Sequence, residues 1–131
     1  MAPSVAEREA LFRAFARAFF KEDLDALYGV VSEDFIWHAP PVGAGASSRA
    51  IQGREAIGAY FAERRALYQS VRFEDVTYHH AADASFMSFR MIAVARADGE
   101  THQVLGVERY VFKDGKLALK DVYVKPLPQG T

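Results

Sequence analysis

Three residues with side chains suited to acid/base chemistry, His38, Asp121 and Arg90, lie in separate predicted strands. His38 follows the only tryptophan, Trp37, at the end of a short β-like run that is closed by prolines. Histidine changes charge near neutral pH, so at a strand end it could act as base or acid on a molecule in a cavity. The alternative is a histidine that hydrogen-bonds to a neighbouring backbone group.

Asp121 has the same strand parity as Leu117 and Tyr123. If that parity is the apolar inner face of a sheet, Asp121 is a carboxylate in a low-dielectric setting and can exchange protons at neutral pH. The alternative is an aspartate at the sheet edge, paired with Lys120 or Lys125.

Arg90 has the parity of apolar residues on its strand, and a cation there needs an acid, either Asp121 or Glu108. Such a pair could stabilise negative charge on a substrate or serve the fold alone. Glu108 and Tyr110 share parity on the next strand, where they could line a cavity or face a partner subunit. The expected substrate-binding residues are Phe15, Phe19, Trp37, Tyr60, Glu108, Tyr110 and Tyr123.

The elements that must position these residues begin with helices. Ser4 and Glu7 have capping-box spacing, which predicts a helix from near Val5 to Lys21. Its apolar residues recur every three or four positions and form an aromatic inner face: Leu11, Phe12, Phe15, Phe19 and Phe20. Its charged residues occupy the other faces: Glu7, Arg8, Arg13, Arg17 and Lys21. Asp23 caps a short second helix with Gly29 near its end, and helical spacing returns from Arg54 to about Gln69.

After residue 70 the sequence becomes β-branched and aromatic, with strands predicted at 71–80, 86–96, 101–112 and 117–125. Two Asp-Gly turns, at 98–99 and 114–115, predict an antiparallel meander of the last three strands. Residues 40–53 contain many turn-forming residues and no period, which predicts a surface loop that could act as a lid. The fold class is α+β: three N-terminal helices packed on a curved, mostly antiparallel sheet, a cone-shaped barrel with an apolar cavity at its wide end.

The composition restricts the class of protein. The chain has 131 residues, 50% hydrophobic and 13% aromatic, with a net charge of -1, which predicts a single domain over 1–131 and no nucleic-acid partner. No apolar run is long enough for a membrane span, and the N-terminus lacks the apolar centre of a signal peptide, so we expect a cytoplasmic protein. The sequence contains no cysteine, and its histidines lack metal-ligand spacing. Phosphate-cradling glycine motifs are absent too, so we expect neither a metal nor a cofactor.

The order of elements resembles the nuclear-transport-factor-like superfamily, which includes ketosteroid isomerases, SnoaL-like polyketide cyclases and limonene epoxide hydrolase. The resemblance covers nearly the whole chain and is clearest at Asp34 to Pro40, Gly53 to Phe61 and Asp114 to Tyr123. It implies the cone-shaped fold, a small-molecule ligand and a homodimer formed through the sheet. It does not fix the activity, because one fold serves many reactions.

The residues depart from two of these enzymes. Pro41-Val42-Gly43 matches the ketosteroid isomerases, but the preceding His38-Ala39-Pro40 lacks their base carboxylate, and the first helix has phenylalanines where they have a tyrosine. Arg90 and Asp121 match two members of the hydrolase Asp-Arg-Asp set, whose other carboxylate would fall near Ile92.

We therefore predict a small cofactor-free isomerase, cyclase or hydrolase acting on a largely apolar molecule. In this hypothesis His38 moves a proton, Asp121 assists it, and Arg90 stabilises negative charge. The alternative is a non-catalytic ligand-binding or dimerisation module of the same fold.

Overall fold

A computed structural model of the protein describes residues 2–40 and 47–128. Three helices are present in these ranges: α1 (Val5–Lys21), α2 (Leu24–Tyr28) and α3 (Arg54–Leu67). The predicted capping box is confirmed, because the Ser4 hydroxyl accepts from the Glu7 backbone N–H at 3.2 Å and the Ser4 N–H donates to the Glu7 carboxylate at 2.9 Å. None of the helices in the described ranges is long and apolar enough to cross a membrane.

Within the described part of the chain, six strands form one sheet: β1 (Val31–Ala39), β2 (Arg49–Gln52), β3 (Tyr68–His80), β4 (Ala84–Ala95), β5 (Thr101–Lys113) and β6 (Lys116–Pro126). Their order is β2-β1-β6-β5-β4-β3, with β1 parallel to β6 and every other neighbour antiparallel. The predicted α+β class and the meander are confirmed. The sheet is curved but not closed, so the expected barrel is an open one with β2 and β3 as its edges.

The predicted loop at 40–53 is wrong at its end, where Arg49–Gln52 forms the edge strand β2. Ile51 is its only buried residue, so no alternating pattern reveals the strand. Pairing with β1 creates it, with Ile51 opposite Trp37. The proposed lid and the Pro41-Val42-Gly43 motif lie outside the described residues.

The core sits between α1 and the inner face of the sheet, which we define as the face toward the helices. Phe12, Phe15 and Phe19 are buried there, and the Phe12 ring stacks on Tyr78 with ring centroids 4.8 Å apart. Such aromatic pairs add to the stabilisation from burial alone. Phe20, predicted for the same inner face, is instead exposed.

Arg8 is an exception to the predicted polar surface of α1, because it is buried. Its guanidinium donates to the carbonyls of Ala81, Ala82 and Ala84 and to the Ser85 hydroxyl, at 2.6 to 3.2 Å. A buried cation needs such partners, and the β3–β4 turn supplies them. Arg8 therefore fixes the start of α1 to this turn.

Strand β6 contains an irregularity that decides which of its side chains face inward. Leu117 pairs with Phe112, but Leu119 pairs with Val111, so β6 has one additional residue, Ala118, between the two pairs. A bulge of this kind shifts the alternation of side chains by one position. After it, the even-numbered residues of β6 lie on the inner face.

Candidate functional site

A cavity of about 1130 Å³ lies between the inner face of the sheet and the helices α1 and α3. Its wall is largely apolar and aromatic, and includes Phe19, Trp37, Tyr60, Phe89, Met91 and Val124. This size and composition are typical of a site for a small organic ligand.

Two charged residues, Glu108 and Lys120, belong to this wall and are each only 4% exposed. They come from neighbouring strands, β5 and β6. The Lys120 Nζ lies 3.8 Å from Glu108 Oε2. Buried charges are rare unless paired, so a paired acid and amine inside an apolar cavity is a candidate for chemistry.

Lys120 is surrounded by aromatic rings as well as by its acid. Its Nζ lies 4.0 Å from the ring centroid of Phe19 and 4.6 Å from that of Trp37, distances at which a cation is attracted to the ring face. Burial, opposed by the negative charge of Glu108 and assisted by the Arg64 guanidinium, lowers the pKa of Lys120 to about 8. The amine is therefore partly neutral near physiological pH.

Tyr110 positions Glu108. The Tyr110 hydroxyl donates a hydrogen bond to Glu108 Oε1, and the Tyr110 side chain is buried between β5 and α1. Burial, and then the negative charge of Glu108, raise the pKa of Tyr110 well above its ordinary value, so the phenol keeps its proton. One carboxylate oxygen is thus held by Tyr110, and the other is directed toward Lys120.

His38 and Asp121 lie opposite each other on the parallel strands β1 and β6. Both residues contribute to the cavity border. Their side chains lie on the outer face of the sheet, however. The preceding residues, Trp37 and Lys120, pair with each other on the inner face, and successive side chains of a strand point to opposite faces. The Asp121 carboxylate accepts a hydrogen bond from the Tyr123 hydroxyl at 2.8 Å.

The prediction that Asp121 shares the inner face with Leu117 is wrong, because the bulge at Ala118 separates their parities. The alternative partners, Lys120 and Lys125, are not the observed ones. The carboxylate instead contacts the Tyr123 hydroxyl and lies 3.9 Å from the Arg109 guanidinium.

Arg90 is also on the outer face, in a separate shallow depression of about 520 Å³. Its Nε lies 3.8 Å from Asp75 Oδ2, so its acid is neither Asp121 nor Glu108. Arg90 pairs with Leu105 while Asp121 pairs with Arg109, four positions along β5. At ~3.4 Å per residue this offset alone places Arg90 and Asp121 about 14 Å apart along the strand direction, so the three predicted catalytic residues do not form one cluster.

Comparisons with known proteins agree with the fold described above. The family model of the SnoaL-like domain matches residues 12–119. The chain belongs to the SnoaL-like domain family. No curated protein matches this SnoaL-like chain.

Solved structures share the fold of this SnoaL-like domain at low sequence identity. An NTF2-like protein from Burkholderia xenovorans matches with a TM-score of 0.78 at 15% identity, over 93% of this chain and 92% of its own. A candidate polyketide cyclase from Pseudomonas putida matches with a TM-score of 0.65 at 21% identity, over 86% and 87%. A protein with a ketosteroid isomerase-like fold from Catenulispora acidiphila, in complex with trimethylamine, matches with a TM-score of 0.68 at 17% identity, over 86% and 83%.

Four of the predicted wall residues of the SnoaL-like domain border the cavity from the inner side: Phe19, Trp37, Tyr60 and Glu108. Tyr123 also belongs to the cavity border, but its side chain lies on the outer face, where it contacts Asp121. Phe15 and Tyr110 instead lie behind the wall, in the core under Lys120 and Glu108. The alternative in which Glu108 faces a partner subunit does not fit its burial against the helices.

The sequence pattern predicted Lys120 only as a partner for Asp121, not as a residue of the site. One signal was available, because Val122 and Val124 share the parity of Lys120 and are more apolar than Tyr123 and Lys125. Taken from residue 120 onward, that alternation places Lys120 with the valines on the inner face. The bulge hides this pattern when the strand is read from Leu117.

One group of possible metal ligands occurs in the described ranges. Side-chain ligand atoms of Asp98, Glu100 and His102, at the β4–β5 turn, lie within 4.8 Å of one another, and all three residues are exposed. Exposed acidic groups are common without a bound ion, so this cluster by itself does not indicate a metal site.

Proposed function

We propose that the protein is a small cofactor-free enzyme of the isomerase, cyclase or hydrolase type, which carries out acid/base chemistry on a small, largely apolar organic molecule. The observation that supports this proposal is the buried Glu108–Lys120 pair at the wall of an apolar cavity. The fold shared with a candidate polyketide cyclase is consistent with it.

In this proposal Glu108 is the base. Its carboxylate is within the cavity wall and fixed by Tyr110, so it can take a proton from a carbon or oxygen acid without first reorganising. Lys120 is the cation that stabilises the negative charge left on the substrate, in a site with little water to screen it. Trp37 and Phe19 hold the apolar part of the substrate.

The site predicted from sequence, His38 with Asp121 and Arg90, is a separate hypothesis that the same experiment tests. We would measure thermal stabilisation and turnover with cyclic ketones, epoxides and polyketide-like aromatics for the wild type, Glu108→Gln and Asp121→Asn. We expect Glu108→Gln to lower turnover by about 10²- to 10⁴-fold while ligand binding survives. Asp121→Asn is the matched control and should keep most of its activity.

Two results would count against this assignment. Loss of turnover in Asp121→Asn with normal turnover in Glu108→Gln would move the chemistry to the outer face. Ligand binding in all three proteins without turnover in any would identify a binding module, the alternative class for this fold.

We also propose that the outer face forms a homodimer. Leu105, Val107 and Tyr123 are large apolar or aromatic side chains on this face and are 40%, 40% and 59% exposed. Clustered exposed residues of this kind mark association surfaces. Sedimentation of the wild type at micromolar concentration should give a dimer, and Val107→Glu should give a monomer. Exposed Glu100→Lys is the control and should remain a dimer. A monomeric wild type would exclude the dimer.

A further inference from the structure

Lys120 differs from every other lysine in its environment. Lys21, Lys113, Lys116 and Lys125 are all exposed, whereas Lys120 is buried and its amine is part of the cavity region. Its ε-amine is therefore the lysine nitrogen that a ligand in the cavity would meet first.

The neighbours of this amine favour its neutral, nucleophilic form. Burial among the rings of Phe15, Phe19 and Trp37, at 4.0 to 5.1 Å, removes water from the charged form, and this outweighs the attraction of the ring faces for a cation. The guanidinium of Arg64 also disfavours a second positive charge. With a pKa of about 8, roughly a quarter of the Lys120 amines are neutral at about pH 7.5, against roughly 0.1% for an ordinary lysine. Glu108, 3.8 Å away, opposes this effect but can also receive the proton.

We propose that Lys120 forms an imine with a small, largely apolar ketone or aldehyde bound in the cavity. This inference rests on the proposed function, since it needs a small organic ligand in the cavity, and it gives that function a substrate class: carbonyl compounds. It also gives Lys120 a covalent role beyond that of a cation.

The reaction balances with the groups present. The Lys120 ammonium first passes one proton to the Glu108 carboxylate. The lone pair of the Lys120 nitrogen then attacks the carbonyl carbon, and the carbonyl π electrons move to the oxygen, which takes that proton from Glu108 to give a carbinolamine. The nitrogen passes a proton to the Glu108 carboxylate, which returns it to the departing hydroxyl, so that one water leaves as the C=N bond forms. The protonated imine draws electrons from the neighbouring carbon, whose proton Glu108 can then remove to give an enamine. Addition of one water reverses the sequence and frees Lys120.

Borohydride trapping tests this proposal directly. The full-length protein would be incubated with cyclohexanone or benzaldehyde, reduced with sodium borohydride and mapped by peptide mass spectrometry. We expect a reduced adduct on Lys120 at ten or more times the yield on the exposed lysines, which serve as internal controls. Lys120→Met should lose this adduct and retain the surface adducts, and circular dichroism should confirm that the variant is folded.

Binding is measured separately by fluorescence. The emission of Trp37, the only tryptophan, reports on a probe entering the cavity because its ring is part of the wall. Quenching by either probe without an adduct on Lys120 would overturn the imine while leaving the proposed function intact. If neither probe quenches Trp37 or labels Lys120 while the surface lysines react, both the imine and the small carbonyl ligand are wrong.

Discussion

The buried amine of Lys120 predicts an unusual pH dependence of stability, which Lys120→Met should abolish. The pKa of Lys120 is about 8 in the folded protein and near its ordinary value of 10.5 in the unfolded chain. A base whose folded pKa is depressed binds fewer protons when folded, so its contribution to the free energy of unfolding becomes more favourable as pH rises between these two values. From about pH 7.5 to about pH 9.5 this gain amounts to ~2 kcal/mol.

Other groups facing Lys120 do not mask this gain. The pKa of Tyr110 is raised by burial, so its effect has the opposite sign but is confined to pH values above the ordinary tyrosine range, near ~10. The guanidinium of Arg64 stays charged throughout this interval. Raised pKa values of Tyr60 and Tyr78 act in the same direction as that of Tyr110. The difference between the wild type and Lys120→Met from about pH 7.5 to about pH 9.5 therefore isolates the lysine.

Urea unfolding, followed by Trp37 fluorescence and circular dichroism, measures the effect. With a urea m-value of ~1.5 kcal/mol/M, the wild-type midpoint should rise by roughly 1 M between the two pH values. Exposed Lys116→Met, the matched control, should show the same rise, whereas Lys120→Met should show little. Equal pH dependence in the wild type and Lys120→Met would refute the assignment of a depressed pKa to Lys120.

Two further predictions concern the groups that hold the fold around the cavity. Arg8→Met should lower the free energy of unfolding by about 3 kcal/mol, because it leaves the carbonyls of the β3–β4 turn without their donor. The control, exposed Arg13→Met, should change this free energy by less than about 0.5 kcal/mol. Equal effects of the two substitutions in chemical denaturation would contradict the anchoring role of Arg8. Gly106→Ala should cost about 1–3 kcal/mol and weaken ligand binding, because the new Cβ would overlap the ring of Phe89 at the cavity wall. The control is Gly58→Ala in helix α3, where the new Cβ would meet its nearest neighbour at an ordinary 3.5 Å, so this variant should be neutral or stabilising. Thermal melts measure both variants. A Gly106→Ala variant as stable as Gly58→Ala would exclude the close packing of Gly106 against Phe89.

Much of the fold could be predicted from the sequence because its signals are local. The capping residues Ser4 and Glu7 and the helical spacing of phenylalanines set α1, and the Asp-Gly turns set the meander. Each of these depends on residues close together in the chain, so neighbouring types and spacing suffice. Strand β2 could not be predicted, because its four residues carry no alternating pattern and owe their conformation to pairing with β1.

The sequence by itself determined the α+β class, the family and the position of the cavity near Trp37. Only the tertiary structure decided which polar residues enter that cavity. The bulge at Ala118 turns Asp121 outward and Lys120 inward, and such a shift arises from the register between β5 and β6 rather than from any local preference of β6. Because one residue of register exchanges the two faces of a strand, the acid/base pair predicted as His38 and Asp121 gives way to the proposed pair of Glu108 and Lys120.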